Sequence, residues 1–139
     1  MKRLIKSLCF LMALVMLFTT TAFAAESRAS NFFAMTSTYI DRYDDELEIW
    51  FDVVAVDRMD KLGVERIKLQ RSTDCVNWTT IKTYDMDDYA EMICENTASH
   101  SDYVTYSNVN SRYYYRAYVE FYAKVGNGTG VYPVYTATV

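Results

Sequence analysis

The chain has 139 residues, with 14 Lys and Arg against 18 Asp and Glu, and 51% of it is hydrophobic. That length suits one domain, and the apolar fraction excludes a disordered chain. A single His excludes zinc sites that need two or more imidazoles, and a formal net charge of −4 leaves no basic footprint for nucleic acid.

Lys2, Arg3 and Lys6 precede an apolar run from Leu8 to Phe18; Thr19, Thr20 and Thr21 break it, and Ala22-Phe23-Ala24 sets small side chains at both positions a signal peptidase reads. Residues 1–24 therefore read as a secretory signal peptide cleaved after Ala24. The run falls short of the ~20 apolar residues a bilayer requires, so no membrane association is expected after cleavage. Tyr135 to Val139 carries neither a hydrophobic tail nor a wall-sorting motif, which points to a secreted, extracellular and monomeric product. Cleavage removes 24 residues, three of the basic side chains and Cys9, leaving 115 residues with a net charge of −7 and two cysteines, Cys75 and Cys94. Two cysteines in an exported chain allow one intramolecular pairing, so a Cys75–Cys94 disulfide is expected. Closing a loop of about 20 residues would contribute ~3 kcal/mol in the chain-entropy treatment.

Residues 25–31 are small and polar and read as a flexible N-terminus; 32–139 form the domain. Phe33, Met35, Ser37 and Tyr39 alternate as a first strand, and Asp41 to Asp45 is a charged turn. Leu47, Ile49, Phe51, Val53 and Ala55 then share one face of a second strand, with Glu48, Trp50, Asp52, Val54 and Val56 on the other. Asp57 to Gly63 reads as a loop, Arg66 to Arg71 as a third strand and Trp78 to Tyr84 as a fourth. Met86, Tyr89, Ala90 and Ile93 recur at helical spacing, which predicts one or two helical turns within Asp85 to Glu95. Tyr103 to Ser107 is a short fifth strand. In the sixth, Tyr113, Tyr115, Ala117, Val119, Phe121 and Ala123 face one way, and Tyr114, Arg116, Tyr118, Glu120, Tyr122 and Lys124 the other. Gly126-Asn127-Gly128 reverses the chain, and Val131 to Val139 closes it, with Pro133 suited to an edge or bulge. The pattern is all-β. It predicts an antiparallel β-sandwich of about seven strands with a short helical turn between the fourth and fifth, a barrel being the alternative.

Ile67-x-Leu69-x-Arg71-Ser72-x-Asp74 followed by Asn77-Trp78 resembles the C to C′ hairpin of fibronectin type III and immunoglobulin-like modules. Tyr113-x-Tyr115-Arg116-Ala117 resembles their F strand, with Tyr113 at the position of a tyrosine corner. Leader, strands and aromatic final hairpin also run in the order found in small, uncharacterised secreted proteins of Gram-positive bacteria. The hairpin turn of such modules usually carries Gly where Cys75 stands, and their proline-marked strands are missing here. The resemblance implies a fold and carries no activity.

Catalytic, metal and cofactor sites are not expected. Ser99-His100-Ser101-Asp102 cannot align as a triad, because neighbours on an extended chain point in different directions, so His100 reads as an ordinary surface residue. Asp41-Asp44-Asp45-Glu46 and Asp85-Asp87-Asp88-Glu91-Glu95 lack the spacing of a calcium loop and read as solvated carboxylates. The 13 tyrosines are the distinctive feature. Tyr114, Tyr118 and Tyr122, joined by Tyr132 of the last strand, form a candidate aromatic binding face for an extracellular protein or a polysaccharide. Trp50 and Trp78 fit either packing or binding. The expected role is a non-catalytic binding module. The alternatives are a structural part of the cell envelope, and a small secreted hydrolase or toxin.

Overall fold

The computed structural model describes residues 31–139; the leader expected over 1–24 and all but the last residue of the 25–31 segment lie outside the described residues. Six antiparallel strands follow one another: β1 (Phe33–Tyr43), β2 (Glu46–Ser72), β3 (Thr79–Asp85), β4 (Ile93–Tyr106), β5 (Tyr114–Val125) and β6 (Gly128–Tyr135). All belong to one sheet, curled into a half-barrel. The all-β antiparallel expectation therefore holds, with one strand fewer.

The missing strand is a fusion. The segments expected as a second and a third strand are both part of β2, which runs for 27 residues. Asp57 to Gly63 has the composition of a loop, yet its backbone stays paired: Met59 faces Thr97, Lys61 faces Glu95 and Lys124, and Gly63 faces Ile93 and Tyr122. One edge of β2 takes β1 along its first half and β5 along its second; the other edge takes β4 and then β3. The expected pair of packed sheets is thereby joined into one, because β2 runs through both halves.

The bend that curls the sheet is a bulge. From Val54 to Met59, β2 takes five steps while its partner takes two, from Ser99 to Thr97. The three surplus residues, Val56, Asp57 and Arg58, are exposed. Arg58 Nη1 spans the bend, donating to the Asn96 carbonyl at 2.9 Å and to its side-chain oxygen at 3.2 Å. Asn96 itself sits at φ 53, a left-handed conformation that Asn tolerates.

Period-two patterning fills the inside of the curl. Leu47, Ile49, Phe51 and Val53 from the first half meet Ile67, Leu69, Val119 and Phe121 from the second in a single cluster, all at most 1% exposed. Burying one such side chain is worth ~1.5–3 kcal/mol relative to water. Tyr115, also fully buried, accepts a hydrogen bond from the Asn110 N–H at 2.8 Å through its hydroxyl. That is a tyrosine-corner contact, made by Tyr115; Tyr113, the residue expected there, lies under the Arg71 guanidinium at 4.5 Å.

The helical spacing within Asp85 to Glu95 yields only a 3-10 turn, Ala90–Met92, and Ile93 onward is already β4. Met92 is pulled into the core, and the turn presses its carbonyl against Gly63, where any Cβ would collide with it. His100 keeps a partly exposed side chain but is not idle. It lies inside β4, half-buried against Phe51, and its Nε2 is 2.8 Å from the Glu91 carbonyl, tying the strand to the turn.

Cys75 and Cys94 are free thiols, against the expected disulfide. Cys94 lies beside Leu62, whereas Cys75 lies beyond Ser72 in the β2–β3 turn. The intervening stretch of β2 holds them roughly 30 Å apart, far outside disulfide reach. Gly63→Ala is expected to cost ~1–3 kcal/mol through overpacking against the Met92 carbonyl. A chemical denaturation midpoint equal to wild type would contradict that close approach.

Candidate functional site

The outer surface of the sheet carries two aromatic arrays, one on each half. The hairpin register sorts the residues of the second. Gly126, at φ 55, and Asn127 link Val125 to Gly128, which fixes Phe121 opposite Tyr132 and Tyr118 opposite Tyr135. Tyr132 thus lies on the core side and packs against the buried cluster. It does not join the outer stripe; Tyr135 does.

Tyr118 and Tyr135 meet at 4.9 Å between ring centroids. Arg116 holds its guanidinium 4.5 Å from the Tyr135 ring and 4.2 Å from Trp78, so both rings share one cation. Its Nε donates to Gln70 Oε1 at 2.9 Å. Lys68 lies over Tyr118 at 5.6 Å, and the Tyr118 hydroxyl donates to Glu120 at 3.2 Å. Burial, then the Glu120 charge, raises the Tyr118 pKa. Arg66 closes the array, with two nitrogens on Asp85 Oδ2 at 3.0 and 3.1 Å and a third 3.7 Å from Glu120. Tyr122 is half-buried, and Tyr114 is 49% exposed at the end of the strand. Of the expected binding face, Tyr118 is covered by Lys68 and Tyr132 lies on the core side, while the neighbouring Tyr135 and Trp78 hold Arg116.

Trp78 is positioned by the turn before β3. Asp74 accepts hydrogen bonds from the Val76 and Asn77 backbone N–H groups, the Asn77 side-chain amide and the Ser72 hydroxyl, all at 2.7–2.9 Å. The Asn77 donors above all hold its carboxyl well below the usual carboxylate range. Cys75 occupies φ 57, the conformation for which Gly is the usual residue, and its carbonyl accepts from Trp78 Nε1 at 3.2 Å.

The first half presents the other array. Tyr39 of β1, Trp50 of β2 and Tyr103 of β4 stand side by side in register. Tyr39 and Trp50 are parallel at 6.0 Å and 8°; Trp50 and Tyr103 stack at 4.5 Å and 29°. The end rings, Tyr39 and Tyr103, are 47% and 39% exposed. Asp41, Glu48 and Thr105 form the register row on one side, and Ser37, Asp52 and Ser101 the row on the other. Glu48 accepts from Trp50 Nε1 at 3.0 Å. Among the described residues none places a cation over these rings. Glu48, Trp50 and Asp52 were legible as one outward face; their alignment with Tyr39 and Tyr103 was not, because it depends on the register of three strands.

A cavity of about 320 Å³ lies between β3, the 3-10 turn and β4, lined by Tyr84, Tyr89 and Tyr106. The Lys82 ammonium lies over Tyr84 at 5.3 Å and Tyr89 at 5.7 Å. Tyr84 donates to the Thr105 carbonyl at 2.7 Å, and burial raises its pKa. Among the described residues no three His, Cys, Asp or Glu side chains converge to hold a metal ion. The chain matches no known family model, no curated protein and no solved structure.

Removing the shared cation in Arg116→Ala is expected to cost ~1–2 kcal/mol, from two ring contacts and a charge-assisted hydrogen bond. An unchanged urea midpoint would show that the second array is ornamental to stability. Because the folded-state pKa of Asp74 is depressed, its contribution is full above about pH 4 and is lost as pH falls below that. Asp74→Asn should therefore flatten the fall in urea midpoint between about pH 4 and pH 2. A variant with the wild-type acid limb would refute that role.

Proposed function

We propose that this chain is an exported, non-catalytic binding module that engages a polysaccharide through the outer face of the first half of its sheet. The leader supports export. The observation that carries the binding reading is the Tyr39–Trp50–Tyr103 row, whose exposed end rings stand between rows of carboxylates and hydroxyls. Apolar ring faces receive the C–H face of a sugar, and carboxylates and hydroxyls accept its O–H donors. The second array lacks this openness, since Arg116, Lys68 and Arg66 already occupy it, and its chemistry favours a structural role. The Tyr115 corner and the Asp74-centred turn support kinship with fibronectin type III-like sandwiches.

The test is retention of the secreted protein on a panel of polysaccharides, neutral, acidic and amine-bearing, beside Trp50→Ala and the exposed-site variant Tyr103→Ala. Wild type should be retained on at least one polymer, and each variant should lose about tenfold or more in affinity. Retention on none of them, or variants that bind as wild type does while melting normally, would sink the proposal.

A further inference from the structure

The two arrays use the same rings and differ in the charge around them. Over β1, β2 and β4, the register rows Asp41–Glu48–Thr105, Tyr39–Trp50–Tyr103, Ser37–Asp52–Ser101 and Met35–Val54–Ser99 hold three carboxylates and no Lys or Arg. Successive rows on one face lie roughly 7 Å apart, so carboxylates flank the stack on both sides within reach of one bound sugar residue. The nearest basic residue in β1, Arg42, turns away to the Tyr115 ring at 5.7 Å. Tyr43, next to this face, has its pKa raised first by Asp41 and, beyond burial, by Glu48, which registers the negative potential there. In the second array Asp85 and Glu120 share Arg66, and Tyr118, Tyr135 and Trp78 each have a cation at the ring. Here, among the described residues, no cation lies over the rings, and the end rings Tyr39 and Tyr103 are exposed.

From this complementarity we infer that the ligand of the first array is a glycan carrying free amino groups. The ammonium supplies to Asp41, Glu48 and Asp52 what Lys68, Arg66 and Arg116 supply on the other half. A glycan fits better than a basic peptide because four Ser and Thr hydroxyls line the rows, and the end rings present flat apolar faces. An acidic polymer is repelled.

The inference rests on the polysaccharide reading, and one titration series separates the two. Binding of the full secreted chain is measured by calorimetry with glucosamine oligomers, with N-acetylglucosamine oligomers of equal length, and with oligolysine of equal charge. The amine-bearing sugar should bind about tenfold more tightly than its acetylated counterpart, with the advantage shrinking at high salt. The paired change Asp41→Asn and Asp52→Asn should erase that preference while the melting temperature stays near wild type. Equal or stronger binding of the acetylated oligomer overturns the amine inference and leaves the polysaccharide reading standing. Oligolysine binding as tightly as the amino sugar overturns it in favour of a basic peptide. Binding of none of the three overturns it outright.

Discussion

Strand β2 carries backbone hydrogen bonds on both edges along most of its 27 residues, and four of the other five strands depend on it. Only β6 is held by another strand, β5. A strand paired on both sides and buried on one face must keep its alternation for its whole length, since one slipped residue turns every side chain over. In β2 the bulge at Val56 to Arg58 leaves that alternation in phase, since Ala55 and Met59 are both buried, and Arg58 and Asn96 tie it from outside. The phase shifts between Met59 and Leu62 and returns at Ile67, after a second irregularity between Val64 and Arg66, and Gly63 in that stretch admits the Met92 carbonyl.

Because one strand serves both halves, its outer residues decide the character of each. In the first half it offers Glu48, Trp50 and Asp52; in the second it offers Arg66, Lys68 and Gln70. The neighbours supply similar rings to both. The second half therefore satisfies itself, with ammonium and guanidinium groups over tyrosines and carboxylates on arginine. The first half stacks its rings without a countercharge. A self-contained network gains little from a ligand, because every contact offered must first displace an internal one.

Much of this was legible in the residues. The alternation at Leu47 to Ala55 and at Tyr113 to Ala123 assigned the inner faces correctly, since period two needs no knowledge of partners. The sides of β6 needed the hairpin register. Tyr132 and Tyr135, an odd number of residues apart, point to opposite faces, but only the pairing of Val125 with Gly128 decides which of them faces out. Asp57 to Gly63 looked like a loop because its polar residues sit on a bulge, where composition follows solvent while the backbone still pairs. Helical spacing at Met86 to Ile93 came from one apolar turn dipping Met92 into the core. The cysteines misled because sequence separation says little about distance when a straight strand lies between them.

The same geometry makes binding to the outer sheet face a surface event. The inside of the curl is filled by Leu47, Phe51, Tyr115 and Phe121, so it cannot open for a substrate without losing the core. The cavity beside Tyr84 shares its aromatic wall with the Lys82 ammonium. What the fold leaves to solvent is its outer sheet surface, and there specificity must come from side-chain chemistry, since a nearly flat face has little shape to offer. Rings set contact area; charge sets preference. On that basis the row with exposed rings and unpaired carboxylates has more to gain from a ligand than the row whose rings already hold a cation.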